Sequence, residues 1–287
     1  MRLRVSERVT RDERKPWIGR AVDDRYVVIE RIGTGATGDV YRAIQRSFGR
    51  QVAVKLQRSG GVRQQGFEEE ARLLDLTAPG TVSVIDIGTT RCGVPYLVTE
   101  LVDGLTLEEA LRRSGPLGPR RAIRITLDLC GFLTCAHHLS IVHRDLKPAN
   151  LMLAPDPSRG EAVKVIDFGL GTRCDRPAGD DIADSPAGLF GTPAYMAPEA
   201  IAGEVVSPAS DVYSLGCVLF EMLAGRSPFG GSLPEVLAQH LYDSRPRLPD
   251  GLVPDGVRSL ATALLRRQPL LRPTAAEARE ILAQFAG

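Results

Sequence analysis

A chain of 287 residues with 36 Lys and Arg against 35 Asp and Glu, and a formal charge of +1, is long enough for a sizeable core and carries no electrostatic footprint for nucleic acid. Its five cysteines, Cys92, Cys130, Cys135, Cys174 and Cys217, show no C-x-x-C spacing, which speaks against a disulfide framework or zinc ribbon and for a reducing compartment. No run approaches the roughly 20 apolar residues of a membrane span, and the Arg-rich start lacks a signal peptide's apolar stretch, so the expected location is cytoplasmic; a soluble domain of a longer receptor would read the same.

Residues 1–25 are polar, Arg-rich and punctuated by Pro16 and Gly19. They read as a flexible basic lead-in, with a partner-docking arm as the alternative. Strand-like runs follow at Tyr26–Ile32, Val40–Ala43, Gln51–Leu56, Val82–Ile87 and Tyr96–Thr99, rich in β-branched and aromatic residues and separated by turn signals. Between the third and fourth, Phe67, Ala71 and Leu74 recur at helical spacing and predict a helix over 64–76. From Thr106 on helices take over: about Pro119–Leu139, Pro208–Ala224, Leu233–Leu241, Asp255–Arg267 and Thr274–Phe285, with Ser207 or Pro208 and Thr274 as start signals and Gly225 as a stop. Strands first and helices afterwards argue an α+β chain or separate lobes, since a doubly wound fold would interleave them. The stretch from Asp167 to Glu199 has little periodicity and much Gly, Pro and Asp, and reads as a functional or disordered loop.

Gly33-Thr34-Gly35-Ala36-Thr37-Gly38-Asp39-Val40 is a G-x-G-x-x-G-x-V run. Missing side chains let backbone N–H groups approach phosphate oxygens and let a turn take φ values that other residues avoid. A dinucleotide-binding run would open a helix; here the strand-like VYRA follows, which favours a hairpin over phosphates. A tight hairpin without a ligand is the plain alternative. Val52-Ala53-Val54-Lys55 sets a lysine on the third strand, a compact cation for phosphates that burial would penalise without a carboxylate partner. Glu70 is the candidate partner, because on the helix it shares a side with Phe67 and Leu74 while Glu68 and Glu69 turn away. Thr99-Glu100-Leu101-Val102 ends the last strand. Extended backbone there can offer N–H and C=O groups to an adenine edge, with Val40, Ala53 and Met152 around the ring and the small Thr99 leaving space behind it.

His143-Arg144-Asp145-Leu146-Lys147-Pro148-Ala149-Asn150 is the most specific motif. It combines a carboxylate that can take a proton from a hydroxyl, a lysine that can neutralise a moving phosphoryl group, and an amide oxygen for a divalent ion. Asp167-Phe168-Gly169 follows after the strand-like Val163–Ile166. Mg2+ favours hard oxygen ligands from few protein groups together with phosphates, which Asn150 and Asp167 can supply.

These motifs, in this order, resemble the eukaryotic-type protein kinase family and specifically its bacterial serine/threonine members, over Tyr26 to Phe285. The resemblance implies a bilobal α+β kinase fold: an N-lobe over 26–102 with a small antiparallel sheet and one main helix, and a larger, mainly helical C-lobe over 103–285. It implies transfer of the ATP γ-phosphate to Ser or Thr hydroxyls of protein substrates, with Mg2+, or Mn2+ in its place. Carried over residue by residue, Gly33, Gly35 and Gly38 cover the phosphates and Lys55 pairs with Glu70. Val40, Ala53, Thr99, Glu100, Val102 and Met152 line the nucleotide. Asp145 is the catalytic base, Lys147 is of the serine/threonine type, and Asn150 and Asp167 hold the metal. Thr192 of GTPAY lines the pocket for the accepting residue, Glu199 pairs with Arg272, and Asp211 braces the loop near His143 and Arg144.

The chain departs from the family pattern in three places. APGTV at Ala78–Val82 stands where H-P-N-I-V is usual, and Gln268-Pro269 where Asp-Pro is common; neither touches a catalytic group. The segment DDIADSPAGLF has Ser185 where bacterial relatives carry threonines, with Thr172 as another hydroxyl upstream. Arg144 implies a basic pocket for an anion on this segment. Either Ser185 is autophosphorylated in trans, within a transient homodimer, or Asp181 and Asp184 stand in for phosphate. The readings of another class are a pseudokinase scaffold or nucleotide-binding regulatory module, which would usually lack Lys55, Asp145 or Asp167, and a small-molecule phosphotransferase, which would generally lack Gly191–Glu199. His137 and His138 read as packing or surface residues, Cys130 and Cys135 as core thiols, and His240 has no partner at ligand spacing, so no zinc is expected.

Overall fold

The structure, a computed structural model, describes residues 17–35, 38–57, 64–76, 80–168, 172–173, 192–242 and 246–286, without the side chains of 64–67, 76, 172 and 173. They fall into two compact units, the described residues of Met1–Phe67 with Ile85–Leu101 and those of Glu68–Val84 with Val102–Gly287.

The first unit is a six-stranded sheet in the order β1-β2-β3-β4-β6-β5, with β1 Ala21–Val22, β2 Tyr26–Thr34, β3 Gly38–Gln45, β4 Gln51–Gln57, β5 Val84–Thr89 and β6 Pro95–Glu100. Neighbouring strands from β1 to β6 run antiparallel, and β2 is bulged against β3 on either side of Glu30 and Arg31. One face is the core: Tyr26, Val28, Tyr41, Ala43, Val52, Val54, Leu56, Tyr96 and Val98 are buried together, with Val22 and Trp17 against them. That corrects the flexible lead-in in part. Ala21 pairs with Val27 and Gly19 donates to the Val28 carbonyl at 2.9 Å, so the strand pairing reaches back beyond Tyr26, while residues 1–16 lie outside the described residues. At the sheet's end a partly buried polar cluster closes the β1–β2 turn: Tyr26 donates its hydroxyl to Asp86 at 2.7 Å, and the exposed Arg25 bonds to Asp86 and to the Tyr96 hydroxyl. Burial and the Asp86 carboxylate together push the Tyr26 phenol well above its ordinary pKa.

The helix α1, Gln64–Leu76, crosses the division. From Glu68 on it belongs to the second unit, where Leu73 and Leu74 are buried. Its far end is tied down by Thr81, which donates to the Leu74 carbonyl at 2.8 Å. Gly80 and Val82 then exchange hydrogen bonds with Val165, so the unusual APGTV segment anchors the strand that leads into Asp167.

The rest of the second unit is helical around two small sheets, one of three strands and one of two. Its elements are β7 Leu105–Thr106, α2 Leu107–Ser114, α3 Pro119–His138, β8 Ile141–Val142, β9 Leu151–Asp156, β10 Gly160–Val165, β11 Thr172–Arg173, α4 Pro198–Ile201, α5 Pro208–Ala224, α6 Leu233–Tyr242, α7 Asp255–Leu264 and α8 Ala275–Ala283. α2 was missed by the hydrophobic pattern because it is short and mostly polar. Its start is nonetheless written in the sequence as a capping box: Thr106 accepts from the Glu109 amide and Glu109 accepts from the Thr106 amide. α5 is buried over nearly its whole length, as an all-round apolar helix should be. It begins with Pro208 after the Ser207 cap and stops at Gly225, which holds a left-handed φ of 69°. At Gly216 an added Cβ would come within 2.8 Å of Leu264, so α5 and α7 meet there backbone to side chain.

Beneath the 192–199 segment, Arg272 makes a two-armed ion pair with Glu199, at 2.6 and 2.8 Å, both side chains at most 2% exposed. The pair is fully satisfied. Glu199 also accepts from Ser210, and Arg272 donates to the carbonyls of Ala209, Arg266 and Arg267. Removing one partner of such a pair strands the other charge in the core. Arg272→Ala is expected to cost about 3–5 kcal/mol, read as a lower urea midpoint at unchanged m-value.

Candidate active site

In the first unit β4 alternates. Val52, Val54 and Leu56 enter the core, and Ala53 and Lys55 emerge on the opposite face. In register, Val40 and Leu97 stand opposite Lys55, and Thr99 stands opposite Ala53. Four residues that the sequence assigns to a nucleotide therefore share one sheet face, joined by Leu97, which sequence reading did not single out. Glu100 pairs with Val52 at the end of β6.

The three glycines differ. Gly33 pairs with Val40, and Gly35 donates to the Gly38 carbonyl at 2.8 Å. A Cβ on Gly38 would lie 2.4 Å from the Leu56 carbonyl oxygen, so the hairpin's own packing demands glycine there. At Gly33 and Gly35 a Cβ would meet nothing closer than 3.6 Å. Gly33 and Gly35 take no left-handed φ, and what these two positions supply is room. Ala36 and Thr37 lie outside the described residues.

In the second unit the HRDLKPAN motif forms a loop ending in one 3-10 turn, Pro148–Asn150. Asp145 is partly buried, and both of its carboxylate oxygens are engaged. Oδ2 accepts from Lys147 Nζ at 2.6 Å and Asn150 Nδ2 at 3.2 Å; Oδ1 accepts from the Thr192 amide at 3.1 Å and the Thr192 hydroxyl at 3.2 Å. Lys147 also donates to Thr192 Oγ1 at 2.7 Å. The geometry thus gathers Asp145, Lys147, Asn150 and Thr192, which lie up to 47 residues apart, around one carboxylate.

Asn150 donates its amide hydrogens to the carbonyl and carboxylate oxygens of Asp145. Both partners are acceptors, which fixes the amide orientation and leaves the side-chain oxygen as the free hard donor. That oxygen and the Asp167 carboxylate are of the type a Mg2+ or Mn2+ ion takes, so the donor set fits the metal. Met152 sits partly buried on β9, opposite Thr106 and Lys164, and Val102, also partly buried, precedes β7. Glu70 is only 3% exposed while Glu68 is exposed, so the helix turns Glu70 inward as its spacing predicts. Ser185 and Gly169 lie outside the described residues.

What shapes the loop is Asp211 on α5. It accepts the backbone amides of His143 and Arg144, both at 2.9 Å, and faces His137 Nε2 at 3.0 Å. Arg144 holds φ 67°, a left-handed conformation that costs a non-glycine residue on the order of 1 kcal/mol. Asp211 offsets that cost through the adjacent amides. Sequence reading placed Asp211 correctly but took His137 for a packing or surface residue; its role depends on α3 and α5 meeting across 74 residues of sequence.

His143 is fully buried between Phe168 and Phe132, with ring centroids 4.7 and 6.0 Å away. Burial lowers its pKa, against the opposing pull of Asp211, Asp145 and Asp167, which favours the uncharged ring. Its Nδ1 accepts from the Asp145 amide at 3.3 Å; Nε2 makes no hydrogen bond of ordinary geometry, although the Asp167 carbonyl is near enough to act on the ring. Asp211→Ala would leave two backbone donors and His137 without their acceptor. The expected loss is about 3 kcal/mol or more, with faster hydrogen exchange at the His143 and Arg144 amides than elsewhere in the loop.

The protein kinase domain family matches residues 26–283. The chain is 40% identical over 231 residues to the serine/threonine-protein kinase PknB of Mycolicibacterium smegmatis, covering 77% of this chain and 36% of that protein. It is 37% identical over 270 residues to PknB of Mycobacterium tuberculosis, covering 90% of this chain and 42% of that protein. A probable serine/threonine-protein kinase of Streptomyces coelicolor is 37% identical over 246 residues. The chain thus spans about two fifths of the length of the curated relatives it matches. Motif order, the loop built around Asp145 and these relatives agree: the chain belongs to the protein kinase domain family, in its serine/threonine branch.

Proposed function

We propose that this domain transfers the γ-phosphate of ATP to serine or threonine hydroxyls of proteins in the cytoplasm. The observation that carries the reading is the Asp145 carboxylate, oriented by Lys147, Asn150 and Thr192. An accepting hydroxyl beside it gives its proton to Asp145 while its oxygen bonds to the γ-phosphorus and the bond to the departing ADP oxygen breaks. Lys147 balances charge as the phosphoryl group moves, and Thr192 shapes the place of the acceptor. Lys55, with Glu70 as counter-ion, and Gly33, Gly35 and Gly38 serve the phosphates; Val40, Ala53, Thr99, Glu100, Val102 and Met152 serve the base and its edge. Asn150 and Asp167 would hold Mg2+, or Mn2+ in its place, which when bound neutralises phosphate charge.

Regulation is assigned to Arg144 and Ser185: phosphorylation of Ser185 in trans, in a transient homodimer, supplies an anion for the arginine. Labelling of a generic protein with ATP is expected to fall about 10²- to 10⁴-fold in Asp145→Asn; equal labelling by the variant would reject the base. Intact-mass measurement before and after incubation with ATP should show one added phosphate that Ser185→Ala loses. Full activity with Ser185 unmodified would favour Asp181 and Asp184 as the resident anions instead.

A further inference from the structure

The sequence Ala78-Pro79-Gly80-Thr81-Val82 has glycine at the place where the usual family motif has asparagine. What stands against that glycine is Phe132 on α3. A Cβ added at Gly80 would lie 3.0 Å from the Phe132 Cβ, 3.2 Å from its Cδ2 and 3.5 Å from its Cα. Gly80 takes no left-handed φ, so its backbone would suit other residues; the neighbouring phenylalanine is what keeps a side chain out.

Phe132 is buried, and its ring meets two others nearly edge-on: His143 with centroids 6.0 Å apart and Phe168 at 5.7 Å. Phe168, also buried, packs in turn on His143 at 4.7 Å. The same glycine holds the strand that leads to Asp167. Its carbonyl accepts from the Val165 amide at 3.0 Å, and the Val82 amide donates to the Val165 carbonyl at 3.1 Å. One residue on, the Ile166 amide donates to the Asn150 carbonyl at 3.0 Å. Asp167 therefore stands between a backbone tied to Gly80 and Asn150 and a ring packed on Phe132 and His143. A side chain at position 80 would have two ways out: it displaces the Phe132 ring from Phe168, or it lifts the 80–82 backbone off Val165. Either shift reaches a neighbour of Asp167, because close-packed interiors pass small displacements on.

We propose that Gly80 and Phe132 are a matched pair of positioning residues for Asp167: the missing side chain admits the α3 ring, and that ring, with His143, sets Phe168 and so the place of the Asp167 carboxylate. The assignment rests on the reading of Asn150 and Asp167 as the metal donors. It also gives the departure from the family motif a physical reason, since an asparagine at position 80 would meet Phe132 at its first side-chain atom.

Three variants test it. Phe132→Leu keeps apolar volume and removes the ring, Gly80→Ala adds one methyl against the ring, and the double variant combines them. With ATP and a synthetic serine/threonine peptide held constant, the Mg2+ concentration for half-maximal transfer is expected to rise about two- to tenfold in each single variant, the worth of an aromatic pair. The KM for peptide should stay as it was. The double variant should match Phe132→Leu, because no ring is left to displace. In protein without metal or nucleotide, hydrogen exchange at the Val165 and Ile166 amides should quicken in both single variants relative to the Val163 amide, which bonds to Asp128 instead. An unchanged Mg2+ requirement or unchanged exchange in the single variants would overturn the proposal, as would additive losses in the double variant or an equal rise in the peptide KM. If Phe132→Leu does not fold, Gly80→Ala alone decides by the same two readouts. Should the wild-type protein transfer no phosphate, the functional reading fails separately, and exchange still decides whether the pair holds the chain around Asp167.

Discussion

One buried carboxylate keeps the catalytic loop in shape. Asp211 takes the amides of His143 and Arg144 at the point where the chain turns through a left-handed residue, and without those two bonds the strain would have no compensation. The next residue is Asp145. Its orientation therefore begins with a helix residue 66 positions later in sequence and is completed by Lys147, Asn150 and Thr192. The bonds that orient Asp145 are thus supplied by the chain itself, so the carboxylate is preorganised.

The helix that carries Asp211 is also the frame for the acceptor loop. α5 is apolar enough to be buried along nearly its whole length, yet Ser210, Asp211, Tyr213, Ser214 and Glu221 bring polar atoms into the core. Each finds a partner: Ser210 on Glu199, Tyr213 on His240, Ser214 and Glu221 on Tyr195. Asp211 is taken by His137 and by the amides of His143 and Arg144, and the partners of the other four belong to the 192–199 segment or to residues against it. Burying these groups is tolerable only because the segment supplies their hydrogen bonds, so helix stability and loop geometry are two aspects of the same contacts. Glu221 shows the tension: burial raises its pKa, while the bond from Tyr195 pulls the other way.

The first unit works by a different physical device. Its sheet sorts side chains by parity, sending Val52, Val54 and Leu56 to the core and Ala53 and Lys55 to the other face beside Val40, Leu97 and Thr99. Its glycine hairpin is held by one close approach, Gly38 to Leu56, and leaves Gly33 and Gly35 unobstructed. This sorting of side chains between two faces needs only correct register to form.

Most of the elements were legible in the chain because periodicity and turn residues report local conformation directly. The helix Pro208–Ala224 and the strand Gln51–Leu56 come out at or within one residue of the observed bounds, and Glu70 faces inward as the helical spacing requires. Short pieces escaped: β1 is two residues long, and α2 is written in its cap more than in its hydrophobic pattern. The site residues Asp145, Lys147, Asn150 and Thr192 were legible as motifs, but motif order names residues without saying which atoms meet. Only the tertiary structure decided that His137 meets Asp211 and that His240 meets Tyr213, or that the third glycine is required by a neighbouring strand. The amino-acid sequence determined what each segment becomes, since that depends on neighbours a few residues away; who bonds to whom across dozens of residues depends on which faces pack together, and no local pattern carries that information.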